Sequence, residues 1–268
     1  MGEPISSPGA SATVLKSNIK MKRLTLLAGI CTIGLLWLSG CGKDKSFDCF
    51  RSTGPIEMEE RSIEPFDSID VSHNINMILI DDGNYKVEVE AGKNLLPDIK
   101  TEVKNRQLLI YNDNTCNWVR SYNKPINVYV HFDKLWKITY LSSGDISNLD
   151  TIREDSLCVD VWGGCGKIEL VIDVYSSYFI MNAGTSDIVI HGNAGINSIY
   201  SGDLGLIDCR NLISNYCFIT HKGSNNCFVY AITELGVKIE SIGDIYYAGN
   251  PGKITQHNTG TGRLIPLN

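Results

Sequence analysis

The feature that narrows the fold most is a recurrence of about 20 residues in the second half of the chain. A small residue, often glycine, is followed by a polar residue and then by isoleucine or leucine, as in "SGDISNL", "GCGKIELVI", "TSDIVIHG", "SGDLGLI" and "IGDIYYAG". Taking the residue before the polar position as an anchor places anchors at Gly144, Gly166, Ser186, Gly202, Asn225, Gly243 and Gly262, with spacings of 22, 20, 16, 23, 18 and 19. Two positions beyond them stand Ile146, Ile168, Ile188, Leu204, Cys227, Ile245 and Leu264, all apolar. The residues four beyond are mostly apolar and those three beyond are mixed, which is a period of two with one face buried.

A second short strand leads into each anchor, in "SLCVDVWGG", "SYFIMNAG", "NYCFITHKG" and "VKIESIG". Each unit is then strand, turn, short strand and loop, and it cannot bury its apolar face alone. Stacked units can, because the same inward position recurs one layer up. Leu141 to Asn268 is therefore expected to form a parallel β-helix-like solenoid of six or seven irregular coils, with an antiparallel sandwich as the alternative. The class is all-β, in keeping with 25 glycines against 8 prolines.

Glycine at the anchors is expected to supply corner backbone angles that other residues tolerate poorly. Hydroxyl residues before them, Ser143, Thr185, Ser201, Ser224 and Thr261, can bond to backbone groups at the corner. The polar position holds Asp145, Lys167, Asp187, Asp203, Asn226, Asp244 and Arg263. A ladder of bound calcium needs acidic residues throughout, so the lysine and arginine favour turn capping, with a cation site near Asp187 and Asp203 as the lesser reading. No cofactor and no metal are expected.

At the amino terminus Lys20, Lys22 and Arg23 precede an apolar run from Leu24 to Leu38, shorter than a membrane-spanning helix requires. The run closes with Leu38-Ser39-Gly40-Cys41, which resembles the lipobox of bacterial lipoproteins. This implies cleavage before Cys41 and acylation of its side chain. Residues 1–20 read as an upstream or non-native extension, 21–40 as the signal peptide and 41–55 as the lipidated cysteine and tether. Acyl chains on one cysteine anchor the product without spanning the bilayer, because each buried methylene contributes about 0.8 kcal/mol. The expected location is the bacterial envelope at the outer membrane, on its periplasmic or surface face. Removing Met1 to Gly40 takes away four basic residues and one acidic residue and leaves a net charge of −9. Nucleic acid is excluded as a partner on that balance.

Residues 56–140 have another texture, an N-terminal β-rich part with a hairpin around Asn105-Arg106. The order "FDSIDV", "NINMILI", "YKVEVEA", "NLLPDIKTEV", "LLIYN", "CNWVRSY", "INVYV" and "GDI", followed by "GDIYYAGNP", resembles the putative auto-transporter adhesin, head GIN domain family. The resemblance covers Ile56 to Leu267 and implies a β-helical fold and envelope exposure, with no catalytic residues. The family's glycine-isoleucine-asparagine element stands here as Asn74-Ile75-Asn76, which would put a left-handed turn on Asn74.

The histidines His73, His131, His191, His221 and His257 are dispersed, with no paired spacing for zinc and no serine elbow. The competing enzyme reading is a β-helical polysaccharide lyase or hydrolase, for which Asp160, Asp173 and Lys167 are the candidate cluster. Trp118, Tyr122, Tyr129, Trp136, Tyr140, Trp162, Tyr246 and Tyr247 could supply a sugar-stacking platform, and the polar-flanked run Trp118, Arg120 and Tyr122 is its best candidate. Five cysteines, Cys158, Cys165, Cys209, Cys217 and Cys227, fall on coil strands or turns as small hydrophobes, whereas Cys49 and Cys116 lie in polar segments and form the candidate disulfide. The expected function is a non-catalytic, envelope-anchored adhesin-like module that binds an extracellular glycan or host matrix protein. A structural envelope protein without a ligand is the further alternative.

Overall fold

Hydrophobic alternation on short runs, broken by glycine and polar corners, gives strands almost everywhere in the computed structural model, which describes residues 52–114 and 124–267. In chain order the strands are β1 (Ile56–Ser62), β2 (Ser68–His73), β3 (Asn76–Asp81), β4 (Lys86–Gly92), β5 (Ile99–Lys104), β6 (Gln107–Asn112), β7 (Asn127–Phe132), β8 (Lys137–Ser142) and β9 (Ile146–Asn148). They continue as β10 (Ile152–Val161), β11 (Lys167–Met181), β12 (Asp187–Ser201), β13 (Ile207–His221), β14 (Cys227–Tyr230), β15 (Glu234–Ile239), β16 (Ile245–Ala248), β17 (Lys253–Asn258) and β18 (Leu264–Pro266). The fold is a β-solenoid of about six turns.

Each layer consists of a strand entering a corner and a strand leaving it, so two parallel columns result. The first column stacks β6, β2, β8, the second halves of β10 to β13, then β15 and β17. The second column stacks β7, β3, β9, the first halves of β11 to β13, then β14, β16 and β18. The stack therefore does not begin at Leu141. Its layers reach back to β2 and β3, and they are not all in chain order: the layer β2–β3 lies between β6–β7 and β8–β9.

Beyond that first layer the pairing reverses. In the second column β4 runs antiparallel to β7, and β1 antiparallel to β4; in the first, β5 runs antiparallel to β6. The β5–β6 hairpin turns on Asn105 and Arg106, with φ of 52° and 63°, as the sequence anticipates for a two-residue turn. The outer strand β1 is exposed and carries Glu57, Glu59 and Glu60, charges that discourage pairing with another chain.

The interior is apolar along both columns. Ile146, Ile168, Ile188, Cys227 and Ile245 are buried, as the period of two requires, but Leu204 is 55% exposed. In register the partner of Ile188 is Ile207, so the anchor of that coil is Gly205 and not Gly202. The text "SGDL" imitates "SGDI" three residues too early. A bulge between Val189 and His191 in the pairing of β12 with β13 absorbs the one-residue difference.

The anchor glycines also have a different cause from the one expected. Gly144, Gly166, Gly205, Gly243 and Gly262 do not adopt positive φ. A Cβ on Gly166 would stand 2.3 Å from the Gly144 carbonyl oxygen, and one on Gly262 2.0 Å from that of Gly243. They are glycines because backbone stacks directly on backbone at the corner. The left-handed positions lie two residues earlier, at Gly164 and Gly184, with φ of 109° and 116°. At the corner between β2 and β3 the left-handed residue is likewise His73, φ 70°, rather than Asn74.

Polar side chains at the corners bind the layers together. Asn76 Oδ1 accepts the amide of Asp145 at 3.0 Å, and Asp145 Oδ1 accepts that of Lys167 at 2.8 Å. Higher up, Asp187 takes the Leu206 amide at 3.3 Å, Asn226 the Asp244 amide at 3.1 Å and Asp244 the Arg263 amide at 2.8 Å. Asp203 lies off this ladder and accepts the Gly184 amide at 2.7 Å. The polar position caps backbone donors of the next layer, as turn capping predicts. Tyr140 is fully buried beneath the corner, donating to the Gly144 carbonyl at 2.8 Å and accepting the Gly166 amide at 3.0 Å. Burial pushes its phenol up to about 12. It is a structural tyrosine and not part of an outward platform.

Candidate ligand-binding groove

Because inward and outward residues alternate, strict register turns every outward position into a ladder running up the column. On the first column one ladder is Tyr178, Ser198, Phe218, Gly236, Thr255; beside it runs Ile180, Tyr200, Thr220, Lys238, His257. Large and small residues alternate along the first. A Cβ on Gly236 would meet the Phe218 ring at 2.7 Å, so the missing side chain lets that ring tilt over the next layer. The result is an open groove of about 650 Å³, lined by Tyr178, Tyr200 and Phe218 at one end and Lys238, Lys253 and His257 at the other. Tyr178 and Phe218 remain 43% and 42% exposed, although they are large rings on an ordered sheet.

The cationic end is partly compensated. Lys253 Nζ lies 2.7 Å from Glu234, while Glu240 is shared by Lys222 at 3.0 Å and by Lys238. The two lysines hold the Glu240 carboxyl below its ordinary value through these hydrogen bonds. Neighbouring cations and carboxylates at the rim can donate to and accept from a hydroxylated ligand.

The outward side of the second column is occupied by its own side chains. Glu169 pairs with Lys167 at 2.6 Å and faces His191 at 3.5 Å. Arg210 pairs with Asp208 at 2.8 Å and lies 3.8 Å over the Phe228 ring, which stacks on Tyr246 at 5.0 Å and 17°. Tyr246, one of the expected platform residues, is spent in this stack, and Tyr247 packs partly buried against the core. Trp136 and Trp162 are exposed, at 49% and 57%.

The candidate catalytic group is not brought together. Asp160 lies on the first column with Lys137 at 2.7 Å and Asn182 at 2.8 Å, whereas Lys167 and Asp173 lie on the second. Among the described residues no group of three or more His, Cys, Asp or Glu is placed to hold a metal ion. Cys209, Cys217 and Cys227 are buried, Cys158 is half-buried and Cys165 is exposed, and all five are free thiols. Burial raises Cys217 to about 12 and Cys227 to about 11, which leaves them inert as nucleophiles. Cys41, the pair Cys49 and Cys116, and the run Trp118, Arg120 and Tyr122 lie outside the described residues. The groove escaped sequence reading because Tyr178, Tyr200 and Phe218 stand about 20 residues apart and only register makes them neighbours. The signal that could have found it is the outward position of each second strand, read down the stack.

Residues 65–251 match the family model described as "Putative auto-transporter adhesin, head GIN domain". The chain belongs to this family. Among solved structures it is similar to a "putative adhesin" from Bacteroides fragilis, at 19% identity and a TM-score of 0.71, over 80% of this chain and 97% of that one. It is also similar to a "putative adhesin" from Parabacteroides distasonis, with 19% identity, a TM-score of 0.60 and coverage of 80% and 98%. A "putative lipid binding protein" from the same organism aligns at 18% identity and a TM-score of 0.59, over 81% and 98%. These likenesses show the fold. No curated protein matches the chain.

Proposed function

We propose that this family member is an envelope-anchored lipoprotein that acts as a non-catalytic, adhesin-like recognition module for an extracellular polymer. The observation that carries the reading is the first-column groove, where large aromatic rings stay exposed on a sheet whose backbone groups are already paired. A surface of this kind binds through side chains on a rigid support. The lipobox at Leu38 to Cys41 supports anchoring, with acylation of Cys41 and a tether leading to the head domain. Family membership agrees with exposure at the envelope.

Catalysis by the β-helical lyase or hydrolase route calls for a converged acid and base. Asp160 is instead committed to Lys137 and Asn182, on another column from Lys167 and Asp173. The test is a panel of polysaccharides and matrix proteins incubated with the purified chain. Saturable binding without new reducing ends or unsaturated products is the expected result. Turnover that disappears in Asp160→Asn or Asp173→Asn overturns it. Metabolic labelling with a fatty-acid probe that is lost in Cys41→Ala checks the anchor separately.

A further inference from the structure

The groove is specific enough in its chemistry to name a ligand class, an inference that rests on the recognition reading of the same site. Main-chain donors and acceptors under the groove are consumed by the parallel ladders from β11 to β15, and β17 closes the column as its last strand. The outer edge of β17 is free among the described strands, but strand-edge groups point along the column in the plane of the sheet, so an occupant lying across the face of Tyr178, Phe218 and Lys238 is gripped by side chains. An acyl chain needs a dry enclosed slot, whereas Ser198, Thr220 and Thr255 interleave the rings with hydroxyls in an open trough.

Flat apolar rings among hydroxyl, carboxylate and ammonium groups suit sugar rings, which present an apolar face and a polar rim. Tyr178 and Phe218 are separated by the Ser198 layer, so their backbones are two strand spacings apart, roughly 9–10 Å, a length on the scale of a disaccharide. Beyond Phe218 the groove is lined by Lys238, Lys253 and His257, with Lys222 alongside. Among the described residues Glu234 and Glu240 pair with these lysines, so three ammonium groups meet two carboxylates, a local positive balance on a chain of net charge −6. Charge complementarity therefore selects an anionic polymer, and the stacking platform selects a glycan.

We propose that the first-column groove takes a linear glycan bearing carboxylate groups, its sugar rings lying on Tyr178 and Phe218 and its acid groups reaching Lys238, Lys253 and His257. Glu234 and Glu240 hold the lysines in place and accept from sugar hydroxyls.

The experiment is calorimetric titration of the purified full chain with hyaluronan oligosaccharides and with the same oligosaccharides after carboxyl reduction. Chondroitin sulfate, polygalacturonate and alginate fragments complete the acidic set, and dextran serves as the neutral polymer. The expected result is binding of at least one uronate-bearing chain, weakened roughly tenfold or more by carboxyl reduction and by the double change Lys238→Gln with Lys253→Gln. Phe218→Ala is expected to weaken both forms of the ligand, and Phe228→Ala, on the other column, neither. Equal affinity for native and carboxyl-reduced chains, or binding of dextran alone, overturns the acidic ligand while leaving the groove as a recognition site. Binding that ignores Phe218→Ala and Tyr178→Ala overturns the groove itself. Failure of every uronate-bearing chain to bind, with circular dichroism showing folded protein, overturns the proposal outright.

Discussion

On the second column Arg210, Phe228 and Tyr246 lie one on another, and Lys167, Glu169 and His191 draw together beside them. On the first column Tyr178 and Phe218 are held apart by Ser198, Gly236 leaves space beyond Phe218, and a groove opens along the ladder. Both faces rise from the same parallel ladders, so the backbone does not make the difference. It lies in which outward position receives a small residue. Where aromatic follows aromatic in register, the side chains satisfy one another and strengthen the stack. Where aromatic alternates with serine or glycine, the ring faces are left for a ligand.

The most damaging test removes the support of both faces. Ile188→Asp places an unpaired carboxylate in the fully buried ladder between Ile168 and Ile207, at a cost of several kcal/mol against a typical domain stability of about 5–15 kcal/mol. Thermal melting should show loss of the cooperative transition, and ligand binding should vanish with it. A variant that melts normally would mean that the inward register is wrong.

Next in size is a change that separates the faces. Phe218→Ala should reduce binding by roughly tenfold or more, through loss of a stacking anchor, with a small change in melting temperature. Phe228→Ala should do the converse: about 1 kcal/mol of stability lost, with the Arg210 and Tyr246 contacts, and binding unchanged. Similar effects of the two on binding would erase the contrast between the columns.

A smaller effect depends on pH. His221 is fully buried, with Nδ1 at 3.5 Å from Cys227 Sγ. Burial holds its imidazole below the ordinary histidine value, against a hydrogen bond to the Asn225 backbone and then the Asp244 carboxylate, which pull the other way. The unfolded chain therefore takes up a proton near pH 6.5 that the folded chain refuses, and stability falls as pH drops through that value towards the lower folded pKa. Melting temperatures at pH 7.5 and 5.5 should differ less in His221→Leu than in the parent. Smallest of all is Glu169→Gln on the exposed second face, where a surface pair contributes about 0–1 kcal/mol. A shift as large as that of Ile188→Asp would show inside and outside to be exchanged.

Much of this architecture was written in the sequence. The period of two at Ile168, Leu170 and Ile172, repeated at Ile188 and Ile190, determines which side is buried, because alternation is a local property of an extended chain. The polar residues after the anchors announce corner capping, and the Asn105-Arg106 turn announces its hairpin. The lipobox and the family resemblance likewise depend on contiguous text. Register does not. A short match such as "SGDL" cannot say which of two corner glycines sits beneath the next layer, and the chain alone does not reveal that β2 and β3 lie between layers that follow them. The reason for glycine at Gly166 and Gly262 was also hidden, since the carbonyl that excludes a side chain belongs to the coil below. Tyr178, Tyr200 and Phe218 carry no common motif for the same reason. Only stacking at the spacing of neighbouring strands brings residues about 20 positions apart into one groove, and that spacing exists only once the coils have closed.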